Sequence, residues 1–275
     1  MKKLKLVIMI LIILSIAGGC GTKDNIQPDT QGNDNINNIN TSENETDSTA
    51  ASQSVFQAEV ISAGDSLFIA PDKDSPEYKS SDKMSVNTAD AKITDQKGTE
   101  ITLQELKPGD ILEITYNGTI LESYPAQVGA SEIKVIDHNI IIDAYKAMID
   151  DIYQEDSGLN DSIEMITVDT TGWIELSDLE KEIVLDSMKE TYGVEIKTGT
   201  FDELAEQGII DKEKLCFTNG IHITLSNMKY DIDKKTMKYS IQKWRGGDGA
   251  IGSDDTTAKY KDGKWNIEKG SMWIS

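Results

Sequence analysis

Residues 106–127 read LKPGDILEITYNGTILESYPAQ. Lys107-Pro108-Gly109-Asp110 is turn chemistry, with proline presetting one backbone angle and glycine free to take a positive one. Ile111 to Tyr116 reads as a strand, and Asn117-Gly118 is the strongest short hairpin signal in the chain. Thr119 to Tyr124 reads as the return strand, and Glu132 to Ile136 as a closing one. Upstream the same period of two appears at Phe56, Ala58 and Val60. Gly64-Asp65 marks a turn, Ser66 to Ala70 a second strand, and Pro71 to Asp82 a polar loop. Met84 to Thr88 and Ala91 to Thr94 are short strands. Thr102 can cap one helical turn over Leu103-Gln104-Glu105-Leu106. Many short strands at this spacing predict a small antiparallel β-barrel or sandwich over 54–137.

Three motifs here fall in order: Leu106 to Asp110, Tyr116-Asn117-Gly118, and Glu122 to Gln127. Together they resemble the YobA-type domains of unknown function found in lipoproteins of Gram-positive bacteria, which are similar to OB-type barrels. The resemblance implies a fold and an address, and no activity. It makes Gly109, Asp110, Asn117, Gly118, Tyr124 and Pro125 the motif residues of the barrel. The Ser-Tyr-Pro-Ala-Gln segment lines a ligand groove on one reading. On the other, Tyr124 and Pro125 close the barrel and end a strand.

From 138 to 275 the period changes. Ile141, Tyr145, Met148, Ile149 and Ile152 have helical spacing, and Ser157-Gly158 ends that helix. Ile163 to Val168 reads as a strand. Ser177-Asp178-Leu179-Glu180 is a capping box for a second helix, and Gly193 suits its C-terminal end. Thr200-Phe201-Asp202-Glu203 opens a third, short helix. Lys214 to Thr218, Ile221 to Tyr230, Met237 to Trp244, Thr256 to Tyr260 and Trp265 to Ile274 read as strands. Helices followed by a meander predict an α+β class, with helices packed on an antiparallel sheet. This order of elements is similar to the NTF2-like and cystatin-like folds.

The N-terminus has Lys2, Lys3 and Lys5, an apolar run from Leu6 to Leu14, then Ala17-Gly18-Gly19-Cys20. A basic start, a short apolar core and small residues read as a secretory signal over 1–19, too short to span a bilayer comfortably. The last four residues resemble the lipobox of bacterial lipoproteins, with Ala17 where that family usually has leucine. The resemblance implies lipidation of Cys20 and anchoring on the extracytoplasmic side of the cell membrane. Residues 20–53 are polar and contain no aromatic side chain, the composition of a disordered tether. Cys216 is the other of the two cysteines, so no internal disulfide is expected once Cys20 carries lipid.

The formal net charge is −21, and acids outnumber bases in both parts, 15 to 7 over 54–137 and 27 to 16 over 138–275. No nucleic-acid partner is expected, because binding phosphate needs a basic patch. Two histidines, His138 and His222, and no Cys/His cluster argue against a zinc site. Acidic pairs such as Asp231/Asp233 and Asp254/Asp255 lack EF-hand spacing and read as solvated turns, so no metal or cofactor is expected. Gly247 to Gly252 matches the G-x-G-x-x-G string, but a strand follows where dinucleotide binding requires a helix. Trp244, Arg245, Gly247, Gly249 and Gly252 are instead expected in a mobile, ligand-facing loop. Cys216 reads as a buried structural residue rather than a nucleophile beside His222. Trp173, Trp244, Trp265 and Trp273 are either sheet core or an aromatic platform for a glycan or peptide. No nucleophile, base and orienter set stands out. The expected function is therefore a non-catalytic binding or interaction module, with an envelope protein, peptide or glycan as partner. A hydrolase acting on cell-envelope material, using unidentified acids, is the alternative, and a structural or inhibitory module a third.

Overall fold

The computed structural model describes residues 53–275. The signal segment 1–19, Cys20 and the tether up to residue 52 lie outside the described residues. Six strands form the first part: β1 (Ser54–Ala63), β2 (Leu67–Pro71), β3 (Met84–Asn87), β4 (Lys92–Thr94), β5 (Asp110–Leu121) and β6 (Ala126–His138). Alternation decides their faces: Phe56, Ala58 and Val60 are buried, with Val55 and Gln57 turned outward. β1 pairs antiparallel with both β2 and β5, β2 with β3, and β5 with β6. Met84–Asn87 then runs parallel to Ala126–Gly129 and closes the ring as β1-β2-β3-β6-β5-β1. This is a closed five-stranded Greek-key barrel, consistent with the OB-like expectation. Val60, Leu67, Ile69, Met84, Leu112, Ile114 and Ile133 fill it with no measurable exposure, each worth about 1.5–3 kcal/mol of burial. β4 adds outside the ring, parallel to β6.

Asn117-Gly118 is not the hairpin turn. β5 continues through it to Leu121, and the pairing slips between Tyr116↔Ala130 and Ile120↔Val128. Asn117, Gly118 and Thr119 thus bulge opposite the single Gly129, with Gly118 at φ 80° and Asn117 Oδ1 accepting from Thr119 N at 3.0 Å. A long strand that must curve to close a barrel bends most cheaply at a bulge, which here takes up the turn signal. The reversal falls at Glu122–Pro125, where the Ser123 hydroxyl donates to the Pro125 carbonyl at 2.6 Å. The expected return strand Thr119–Tyr124 is therefore split between the end of β5 and this reversal, and the expected closing strand Glu132–Ile136 is part of the 13-residue β6.

The second part contains α1 (Ile140–Gln154), β7 (Met165–Asp169), α2 (Asp178–Tyr192), β8 (Glu195–Thr198) and α3 (Phe201–Glu206). After them come β9 (Gly220–Asp231), β10 (Thr236–Gly246), β11 (Gly249–Lys261), β12 (Lys264–Glu268) and β13 (Ser271–Ile274). The sheet order is β12-β11-β10-β9-β7-β8, with β13 also paired to β11. β9 to β12 are the antiparallel meander. β7 joins it parallel to β9, and β8 lies parallel to β7, because α2 carries the chain back over the sheet between them. α1 and α2 bury Ile142, Tyr145, Met148, Ile149, Ile183 and Val184 against Ile223, Leu225, Tyr239 and Ile241. Both capping boxes form, at Ser177/Glu180 and Thr200/Glu203, and Gly193 ends α2 at φ +67°.

The C-terminal end of α1 is capped from the sheet. The fully buried Lys243 ammonium on β10 shares its three hydrogens among the carbonyls of Tyr153 (3.0 Å), Glu155 and Asp156 (3.2 Å) and Asn160 Oδ1 (3.0 Å). Burial pushes this amine down to about 8, against the pull of Asp156 and Glu155, so it stays charged at neutral pH.

Two further expectations are overturned. Lys214–Thr218 is not a strand but a turn, closed by reciprocal Asp211–Cys216 backbone bonds. The glycine loop over Gly246–Gly252 is a tight hairpin at Gly247-Asp248, and Gly249 and Gly252 lie within β11. Gly252 is there for close packing. A Cβ on it would sit 2.3 Å from Trp273 Cζ2, so the indole of β13 lies directly over its backbone.

Candidate functional site

β6 ends at His138 and α1 starts at Ile140, so a single residue, Asn139, separates barrel strand from helix. Asn139 caps α1 by accepting from Ile141 N at 3.1 Å, and its own N–H donates to the Gly109 carbonyl at 2.8 Å. Gly109 in turn donates to Val60 O at 2.8 Å. It must be glycine: φ is +89°, and a Cβ would meet Ile142 Cδ1 at 3.0 Å.

Charged groups converge on this joint. His138 Nδ1 lies 2.7 Å from Asp110 Oδ1, and Nε2 lies 2.9 Å from Asp143 Oδ2 on α1. Hydrogen bonds to Asp110 and Asp143 raise the imidazole to about 9 against the opposing effect of burial, so it is a cation at neutral pH. Burial would raise the Asp143 carboxyl, but the His138 contact and the nearby Lys146 and Lys107 hold it below its ordinary value. On the other side, the two hydrogens of Asn139 Nδ2 reach Glu59 Oε1 on β1 (3.1 Å) and Glu180 Oε1 on α2. Glu180 Oε2 accepts from Ser177 N in the capping box. Burial pushes the Glu59 carboxyl up to about 7. The Asn139 bond and the His138 charge oppose the rise, and Glu180 adds to it.

Glu59 and Glu180 line a cleft of about 710 Å³. One wall is the outer face of β1 with the end of β2, the other the first turn of α2 at Ser177–Glu180. Tyr78 and Tyr124 stand on the rim, and Tyr124 is 75% exposed. The remaining charged lining is Asp72, Asp82, Asp178 and Glu182 against Lys73 and Lys83, and Lys83 reaches across to Glu182 at 4.0 Å. The cleft is acidic, with two aromatic faces at its mouth. It offers no metal cage: among the described residues, no three His, Cys, Asp or Glu side chains converge on a common metal position.

The sequence-derived candidates divide. Gly109 and Asp110 build the joint, Tyr124 reaches the cleft beside Pro125, and Asn117 and Gly118 shape the barrel. Trp244, Arg245, Gly247, Gly249 and Gly252 do not assemble into a ligand loop. Trp244 packs edge-on against Phe201 at 5.1 Å, and Arg245 Nη1 ties down the carbonyls of Leu159 (2.9 Å) and Asp161 (2.8 Å). The tryptophans are dispersed: Trp173 stacks on Tyr145 at 4.5 Å, and Trp265 Nε1 donates to Ile140 O at 2.7 Å. Cys216 is half-buried and its Sγ faces Thr218 Oγ1 at 4.0 Å. His222 is fully buried on the Thr167 hydroxyl at 2.9 Å, with burial lowering its basicity. Glu59, Tyr78, Asn139, Asp143 and Glu180 had no place among the sequence candidates. One local signal points at Asn139, the His-Asn pair at the switch from strand to helix period.

Residues 62–137 match a family described as proteins of unknown function, DUF3221. The match runs from the end of β1 to the end of β6 and so covers most of the barrel. No curated protein matches the chain. Among the described residues no helix is long and apolar enough to cross a membrane.

Proposed function

We propose that the protein is a non-catalytic binding module, held on the outer face of a cell membrane by lipid on Cys20, that takes a cationic segment of an envelope peptide or protein into the cleft between β1 and α2. The observation that carries this reading is the cleft itself: carboxylates along its lining, with Tyr78 and Tyr124 at its mouth. Carboxylates attract ammonium and guanidinium groups, and the exposed Tyr124 beside the half-buried Tyr78 offers apolar and cation–π contact at little entropic cost. The acidic tether is repelled by the same charges and is a poor occupant.

A paired-carboxylate hydrolase fits less well. Glu59 has the raised pKa of a general acid, but both Glu180 oxygens are engaged, one by Asn139 and one by the Ser177 backbone. That arrangement positions a helix rather than a nucleophile.

Isothermal titration with a decalysine peptide and with a neutral N-acetylglucosamine tetramer tests the cleft. The peptide should bind, more weakly at high salt. Asp178→Lys/Glu182→Lys should lower its affinity at least about tenfold. Binding of the tetramer alone, or an unchanged peptide affinity in the variant, refutes the reading. For the anchor, an alkyne fatty acid should label the wild type and not Cys20→Ala.

A further inference from the structure

The bridge between Glu59 and Glu180 sits where the barrel, the β6–α1 joint and α2 meet, and both of the acids it joins line the cleft. One amide group holds two acids together, and among the described residues no cation contacts either carboxyl directly. We propose that this bridge is a proton-operated latch: with one proton on the carboxyl pair the Asn139 amide ties β1 to α2, and loss of that proton to solvent loosens the first turn of α2 and opens the cleft. As a control on ligand uptake, this rests on the reading of the cleft as a binding site.

The surroundings of Glu59 set the sign. From α2 it faces Glu180, with Asp178 and Glu182 further along the same wall. From the β6–α1 joint it feels the His138 cation, which is already neutralised by Asp110 and Asp143. From the segment after β2, Asp72 and Asp82 are set against Lys73 and Lys83. Its backbone neighbours across the sheet are Ala70 and Ile111. Ionised Glu59 therefore adds a negative charge to a predominantly negative wall. The carboxyl it pushes on is the one closing the α2 capping box. Near-neutral titration follows from burial. Opening would expose a more negative cleft, so a cationic ligand gains twice as pH rises.

Hydrogen–deuterium exchange of the full chain at pH 5.5 and 8.0, corrected for intrinsic rates, reads the latch without a ligand. In the wild type, a peptide covering 177–183 should exchange at least about tenfold faster at pH 8.0, the equivalent of one pKa unit of coupling. β9 and β10 should not change. Glu59→Gln keeps the acceptor and removes the charge, so its corrected rates should agree at the two pH values. Equal wild-type rates, or the same acceleration persisting in Glu59→Gln, overturn the latch. Decalysine should bind more tightly at pH 8.0 than at 5.5 in the wild type and equally in Glu59→Gln. A wild-type affinity independent of pH overturns the latch as a control on the cleft. Failure of decalysine to bind at both values refutes the cleft reading instead, and the exchange result still decides the latch.

Discussion

Replacing Lys243 by methionine should cost about 3 kcal/mol of stability. The substitution nearly conserves shape and removes only the ammonium. A buried ion pair replaced by apolar groups on both sides is often neutral. Here the partners are mostly backbone carbonyls, which cannot be replaced. Tyr153 O keeps the amide of Asn160 as donor at 2.8 Å. Glu155 O, Asp156 O and Asn160 Oδ1 lose the Lys243 donor. At roughly 1 kcal/mol for each stranded acceptor, the low end of the usual range, the sum is ~3 kcal/mol. For a folded part of this size that lowers Tm by about 6–12 °C. Urea denaturation followed by far-UV circular dichroism should show a lower midpoint with an unchanged slope. Lys238→Met, at an exposed site on the same strand, is the control and should stay within about 0.5 kcal/mol. A loss below about 1 kcal/mol for Lys243→Met would mean that water satisfies these carbonyls in the folded state, and the capping argument fails.

The His138 cation gives a second prediction. Its folded pKa of about 9 lies above the unfolded value, so its contribution is complete below about pH 6.5 and is lost as pH rises through 9. His138→Gln should flatten the fall in Tm across that window, and an unchanged slope refutes the assignment. Gly252→Ala should drive the Trp273 indole off β11. Ser275 N–H donates to Ala250 O at 3.0 Å, so exchange of the C-terminal peptide should accelerate, at an overpacking cost of about 1–3 kcal/mol. Unaltered protection there would show that β13 has room to move.

What could be read from the chain was whatever local chemistry enforces. The capping boxes at Ser177 and Thr200 form because the side chains that make them are three residues apart. Period two gave the barrel strands, and period 3.6 gave α1 and α2. The Asn117-Gly118 signal misled because a positive backbone angle serves a bulge as well as a turn, and only the distant partner β6 decides between them. Gly247 to Gly252 misled in the same way. Its glycines look flexible in isolation, but Gly252 is set by an indole twenty-one positions on. The site was less visible still. Glu59, Asn139 and Glu180 are far apart in sequence and meet only once the barrel closes and α2 packs. Nothing in the local context of Glu59 separates it from the other acids of a chain that has 48.

The way the barrel ring is closed has a practical consequence for anyone excising it. The family match begins at residue 62, yet β1 meets β5 through Ser54 to Glu59 and β2 through Ala58 to Ala63. A fragment cut at residue 62 would lose nearly the whole strand that joins β2 to β5 in the ring. It would be left as an open ribbon with two bare hydrogen-bonding edges, which invite pairing with other copies. A fragment ending at residue 137 would also lose His138 and Asn139, and leave Asp110 without its cation. Any truncation meant to isolate the barrel should begin before Ser54.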